Sequence, residues 1–109
     1  MKGIGIDIVS VSRISEKVAN KILSKKEMVE FNSYLKHDRE RAMEFLGGRL
    51  ASKEAYLKAI GISTYDGISL PELSIYKDEN GVPKFKNIPN ARLTVSHDAG
   101  VAVAVVVIE

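Results

Sequence analysis

Phe45-Leu-Gly-Gly-Arg-Leu-Ala-Ser-Lys-Glu-Ala-Tyr-Leu-Lys-Ala-Ile-Gly61 places four charges, three glycines and an apolar stripe in one run that reads as a helix. Glycine inside a plain surface helix costs roughly 1 kcal/mol against alanine, so Gly47 and Gly48 imply that something approaches the backbone closely. Glu54 and Lys58 are four residues apart and share a face with Gly47, Leu50 and Gly61. A carboxylate and an ammonium on a small, apolar stripe make a candidate phosphate and metal site. Arg49 and Lys53 form a second pair with the same spacing, displaced around the helix. Three cations against one anion favour an anionic ligand over self-pairing. The plain alternative is a surface ion pair worth a few tenths of a kcal/mol.

Working outward, the helix is expected over 39–60, stopped by Gly61. Upstream, Ser24-Lys-Lys-Glu27 spells a capping box and predicts a helix from about Lys25 that buries Met28, Phe31 and Leu35. Before it, Ser10 or Ser12 caps an expected helix with Ile14, Val18 and Ile22 as its apolar positions. The N-terminal run Gly3-Ile-Gly-Ile-Asp-Ile-Val9 alternates strictly, with the isoleucines on one face and Gly3, Gly5, Asp7 and Val9 on the other, which is a strand signature. After the long helix come alternating residues over 73–77, an Asn80-Gly81 turn and a return over 83–85, then two strands over 92–97 and 101–108 joined at Asp98-Ala-Gly100. The expected architecture is α+β, one domain over 1–109, with an antiparallel meander packed on the long helix.

A chain of 109 residues builds one thin core, and oligomerisation is a natural way to bury more surface. The net charge of +2 is too mild to indicate nucleic acid. Lys17, Lys21, Lys25, Lys26, Lys36, Arg39 and Arg41 nevertheless concentrate in the first half; this is a solvated face or a docking surface for an acidic partner. The absence of cysteine excludes disulfides, thiolate zinc sites and cysteine nucleophiles, and fits a reducing cytoplasm. The N-terminus lacks the apolar segment of a signal peptide, and the apolar stretch over 101–108 is too short to span a bilayer.

Asp7 sits among glycines on one face of its strand. Alone it would be read as a solvated or capping carboxylate; with Glu54 it supplies the two carboxylates by which Mg²⁺ is commonly held alongside phosphate oxygens and water. Ser96 and His97 are adjacent in a strand, so they point to opposite faces and cannot form a hydrolase dyad. No Walker A loop, dinucleotide fingerprint or Gly-x-Ser-x-Gly elbow is present.

Taken together, Gly3-Ile-Gly-Ile-Asp-Ile8, Arg13-Ile14, the Phe45-to-Gly61 helix, Asn80-Gly-Val-Pro83 and Val95-Ser96-His97 resemble the motifs of the bacterial holo-(acyl-carrier-protein) synthases, the small 4′-phosphopantetheinyl transferases. Gly48 and Ser52 stand where alanine is common in that family, and Leu50 where an aromatic is common. The resemblance implies a cytoplasmic, Mg²⁺-dependent enzyme of fatty acid biosynthesis. It moves the phosphopantetheine arm of coenzyme A to a serine of an apo acyl carrier protein and leaves adenosine 3′,5′-bisphosphate. It also implies a homotrimer with each active site between two subunits, and no nucleic acid or membrane partner. By position, Asp7 and Glu54 would bind Mg²⁺, Glu54 would take the serine proton directly or through water, and Lys58 would reach the pyrophosphate. Arg49, Lys53 and His97 would bind the phosphates of coenzyme A, the turn with Asn80 and Pro83 would line the nucleotide pocket, and Arg13 would dock the acidic carrier protein. Two other readings remain from the residues alone: a nucleotide-binding module using Arg49, Lys53 and Lys58, and a metal-dependent phosphohydrolase, for which the ligands are few.

Overall fold

The computed structural model describes residues 1–62 and 67–109. The alternating N-terminal run forms β1 (Gly3–Ser10) and pairs antiparallel with the valine-rich β5 (Val101–Ile108); β4 (Ala91–Asp98) pairs with the other side of β5, giving the order β1-β5-β4. Ala99 and Gly100, with φ of 50° and 77°, close the β4–β5 hairpin in the left-handed conformation that a two-residue turn between twisted strands demands.

The second half departs from a single meander. β2 (Ile75–Lys77) and β3 (Pro83–Phe85) form a separate two-stranded sheet. Asn87, at φ 67°, and Pro89, which has no N–H to donate, interrupt the chain before β4. The β2–β3 loop is organised by Asp78, whose Oδ1 accepts from the N–H groups of Asn80 and Val82, both at 2.9 Å.

The helix expected after β1 is also absent as one element. Val11–Arg13 and Glu16–Val18 are 3₁₀ turns, and only α1 (Ala19–Ile22) is α-helical. Ile14 and Ser15 are extended between the turns, and Ser15 Oγ accepts from Lys17 N at 3.2 Å. Serine competes with helix in this way by bonding to nearby backbone. The capping box forms as predicted at the start of α2 (Lys25–Leu35): Ser24 Oγ accepts from Glu27 N, and Glu27 Oε1 from Ser24 N. Asp38 caps α3 (Arg39–Ala59), and Gly61 ends it at φ 75°.

α3 lies against the inner face of the sheet, chiefly over β1 and β5. The close approach occurs at the glycines of the strand. A Cβ on Gly5 or Gly3 would collide with the carbonyl oxygens of Ala55 and Ala59. Ala51, Ala55 and Ala59 recur every four residues on the helix side, so backbone meets backbone and Asp7 is carried under α3. The isoleucines of β1 therefore point outward: Ile4, Ile6 and Ile8 are 59%, 59% and 67% exposed. Val101, Val103, Val105 and Val107 of β5 lie beside them on that outer face, half-buried. One buried cluster joins α3 to β4, β5 and the β2–β3 hairpin, and a second joins it to α1 and α2.

Candidate active site

The register aligns Asp7 with Ala104 and Val95, and Val9 with Ala102 and His97, all on the inner face. Asp7 and His97 thus occupy opposite edge strands, with β5 and α3 between them. The candidate residues divide accordingly.

At the β1 edge, Lys58 Nζ lies 3.0 Å from Asp7 Oδ1 and donates at 3.1 Å to the Ile6 carbonyl. Lys58 pairs with the strand carboxylate, and the plain alternative, a helix ion pair with Glu54, does not form. Glu54 stands near both. Burial, followed by the negative charge of Asp7, raises its pKa above the ordinary carboxylate value, and Lys58 only partly opposes this. Two carboxylates from different elements thus lie near a single ammonium, which bonds only Asp7. That donor set suits a hard divalent cation that keeps several of its waters, since the ion would relieve the repulsion felt at Glu54. Among the described residues no cluster of three or more His, Asp or Glu side chains is placed to hold a metal.

At the β4 edge, a pocket of about 240 Å³ opens between α3, β4 and the β2–β3 hairpin. Arg41, Arg49, Pro83 and His97 line it. Gly48 makes room for the histidine: a Cβ there would stand 3.2 Å from His97 Nε2 and press it aside. Gly81 lines the pocket too, whereas Asn80 lies outside the lining, exposed on the turn with its N–H held by Asp78.

Lys53 is a correction to the sequence reading. It is fully buried, and its Nζ donates at 2.6 Å both to Glu27 Oε1 and to the Ile22 carbonyl, so it has no free ammonium to offer a ligand. Arg49 is also buried, with Nε 3.2 Å from Glu27 Oε2 and the guanidinium 4.5 Å from the Phe45 ring centroid. The cations at 49 and 53 therefore do share an internal carboxylate, contrary to the expectation that they would not self-pair. Glu27 is the residue that sequence reasoning missed. Its role in the capping box was legible, but its second role was not: the same carboxylate, 2% exposed, also accepts from Ile75 N and ties α2 to α3 and to the hairpin. Arg13 lies exposed in the first 3₁₀ turn, in a segment where Lys17, Lys21, Lys25 and Lys26 are exposed as well.

This fold has known counterparts. Residues 3–106 match the model of the 4′-phosphopantetheinyl transferase superfamily, and the chain belongs to that family. A holo-(acyl-carrier-protein) synthase of Geobacillus kaustophilus is 39% identical over 98% of this chain and 88% of its own length. Among solved structures, a holo-(acyl-carrier-protein) synthase from Bacillus anthracis in complex with coenzyme A (3′,5′-ADP) superposes with a TM-score of 0.88 at 34% identity, covering 99% of this chain and 96% of the other. The Helicobacter pylori enzyme in complex with coenzyme A gives 0.78 at 32% identity, covering 97% and 99%. Among the described residues no helix is long and apolar enough to cross a membrane.

Proposed function

We propose that this chain transfers the 4′-phosphopantetheine group of coenzyme A to a serine of an apo acyl carrier protein, releasing adenosine 3′,5′-bisphosphate, in fatty acid biosynthesis. The observation that carries the reading is the meeting of Asp7 of β1 with Glu54 and Lys58 of α3 in a chain that matches the transferase superfamily over residues 3–106.

Asp7 and Glu54 would hold Mg²⁺. When bound, that ion supplies charge neutralisation for the diphosphate of coenzyme A. Lys58 is more than half exposed and its ammonium can leave Asp7 to meet a phosphate oxygen, stabilising the departing bisphosphate. Glu54 accepts the proton of the serine hydroxyl as that oxygen bonds to phosphorus and the phosphorus–oxygen bond to the leaving nucleotide breaks. Arg49 and His97 bind phosphates from the β4 side, and Arg13 with its lysine neighbours attracts the acidic carrier protein. A cytoplasmic setting belongs to the same proposal.

Asp7 and His97 stand on opposite edge strands of one copy, so a complete site draws on two copies. The uncovered outer face of Ile4, Ile6 and Ile8 beside the β5 valines is apolar enough to require a partner surface. A head-to-tail contact that joins one copy's β1 edge to the next copy's β4 edge makes a ring when the rotation closes, and the homotrimer that the family resemblance implies would be such a ring.

The test is direct. The protein is mixed with coenzyme A, Mg²⁺ and an apo acyl carrier protein, and the carrier is weighed by mass spectrometry. The carrier should gain one phosphopantetheine arm. Free phosphate with no gain in mass would instead support a hydrolase, and nucleotide binding with neither product would support a binding module.

A further inference from the structure

The Glu27 cluster contains two cations and one carboxylate, and the bonds within it are unequal. Lys53 takes Oε1 in a 2.6 Å hydrogen bond, Ser24 N shares that oxygen at 2.8 Å, and Ile75 N takes Oε2 at 3.2 Å. Arg49 is left with a 3.2 Å approach to Oε2 in which neither its Nε nor its Nη2 makes a hydrogen bond, although both atoms are buried. The next carboxylate along α2, Glu30, is half-buried and accepts from the Tyr34 hydroxyl at 2.8 Å. Burial lowers the Arg49 pKa, and Glu27, Glu30 and Tyr34 do not fully offset this. Arg49 lines the pocket and Lys53 does not. Inside a low-dielectric wall Glu27, Arg49 and Lys53 together carry one surplus positive charge, which the half-buried Glu30 tempers from the side, and its outlet is the guanidinium that lines the pocket.

We propose that Lys53 is a positioning residue: by engaging Glu27 it prevents that carboxylate from neutralising Arg49, and so reserves the guanidinium for a phosphate of coenzyme A in the pocket. The proposal rests on the transferase reading of that pocket and adds to it a role for a lysine that cannot touch the ligand.

The experiment measures coenzyme A binding by calorimetry, and KM and kcat with apo carrier protein, on the Mg²⁺-loaded enzyme. Lys53→Met keeps the length of the side chain and removes its charge. Its affinity for coenzyme A should fall at least about tenfold, a shift within the range measured for close charge pairs. Its kcat should stay within about twofold, the pattern of lost ground-state binding. Adding Glu27→Gln to Lys53→Met removes the neutralising carboxylate, and affinity should recover to within about threefold of wild type, as expected for coupled rather than additive sites. A purely structural lysine predicts no rescue, because the double variant dismantles more of the cluster. Unchanged affinity in Lys53→Met, or no recovery in the double variant, would overturn the proposal. If Lys53→Met does not fold, Glu27→Gln alone decides: the melting temperature drops while coenzyme A binding holds or tightens, and weakened binding would count against the idea. Failure of the wild-type protein to bind coenzyme A would sink the transferase reading itself, a result distinct from all of these.

Discussion

α3 carries two charged pairs with the same spacing, Glu54/Lys58 and Arg49/Lys53, and the fold gives them opposite electrostatics. At the β1 edge, Asp7 joins Glu54 and Lys58: two carboxylates lie near one cation, more than half exposed, that bonds only Asp7. On the other side, Glu27 joins Arg49 and Lys53: two cations share one buried carboxylate. The first arrangement is short of positive charge and accessible, and so suits a divalent ion. The second has positive charge to spare at a pocket wall, and so suits a phosphate. Helical spacing cannot distinguish them. In each case the deciding third residue comes from another element, 47 positions away for Asp7 and 22 for Glu27, counted to Glu54 and Arg49.

Four substitutions sharpen this contrast. The largest effect is expected in turnover. Asp7→Ala or Glu54→Ala should lower kcat by about 10²–10³-fold, the scale for removing a group that meets charge developing in the transition state, while circular dichroism melts show the protein still folded. The next effect is on stability. Glu27→Ala leaves Lys53 and Arg49 buried without a counter-charge, and breaking a buried ion pair this way costs about 3–5 kcal/mol, readable by urea unfolding. If Glu27→Ala were as stable as wild type, the buried cluster would not be the tie between α2, α3 and the hairpin.

The smallest effect has the opposite sign. The pKa of Glu54 is raised in the folded chain, so its share of stability is fully present below the unfolded value of 4.5 and is lost as pH rises through the folded value. At neutral pH the ionised side chain is then a liability that a chelated, metal-free protein cannot relieve. Glu54→Gln in chelator should melt higher than wild type at neutral pH, with the difference vanishing at pH values below 4.5. A pH-independent difference would remove the repulsion with Asp7 from the account.

Much of this was legible in the sequence. Strict alternation located β1 and placed Asp7 with the glycines, the capping box located α2, and Gly61 ended α3. The motifs around Asp7, Glu54 and His97 led to the family before any geometry was known. What failed did so for local reasons. Ser10 and Ser12 resemble helix caps, yet Ser15 bonds within its own turn and the segment breaks into 3₁₀ pieces. Lys53 looked like a ligand for phosphate because sequence shows charge but not burial. Glu27 looked finished once its capping role was assigned, although a carboxylate has two oxygens and the second was free to organise the core. The isoleucines of β1 gave no sign that they face outward; the glycines between them decide that, since only a face without Cβ atoms lets α3 come so close.

The central claim is that the β1-edge half of one copy is completed by the β4-edge half of another. Complementation tests it most directly. Asp7→Ala and His97→Ala proteins, each inactive alone, are unfolded together in equal amounts, refolded and assayed. Random assembly into a ring puts an intact Asp7 against an intact His97 of the partner in about a quarter of the sites, so about a quarter of wild-type turnover should return. A mixture as inactive as its two components would contradict a site shared between copies.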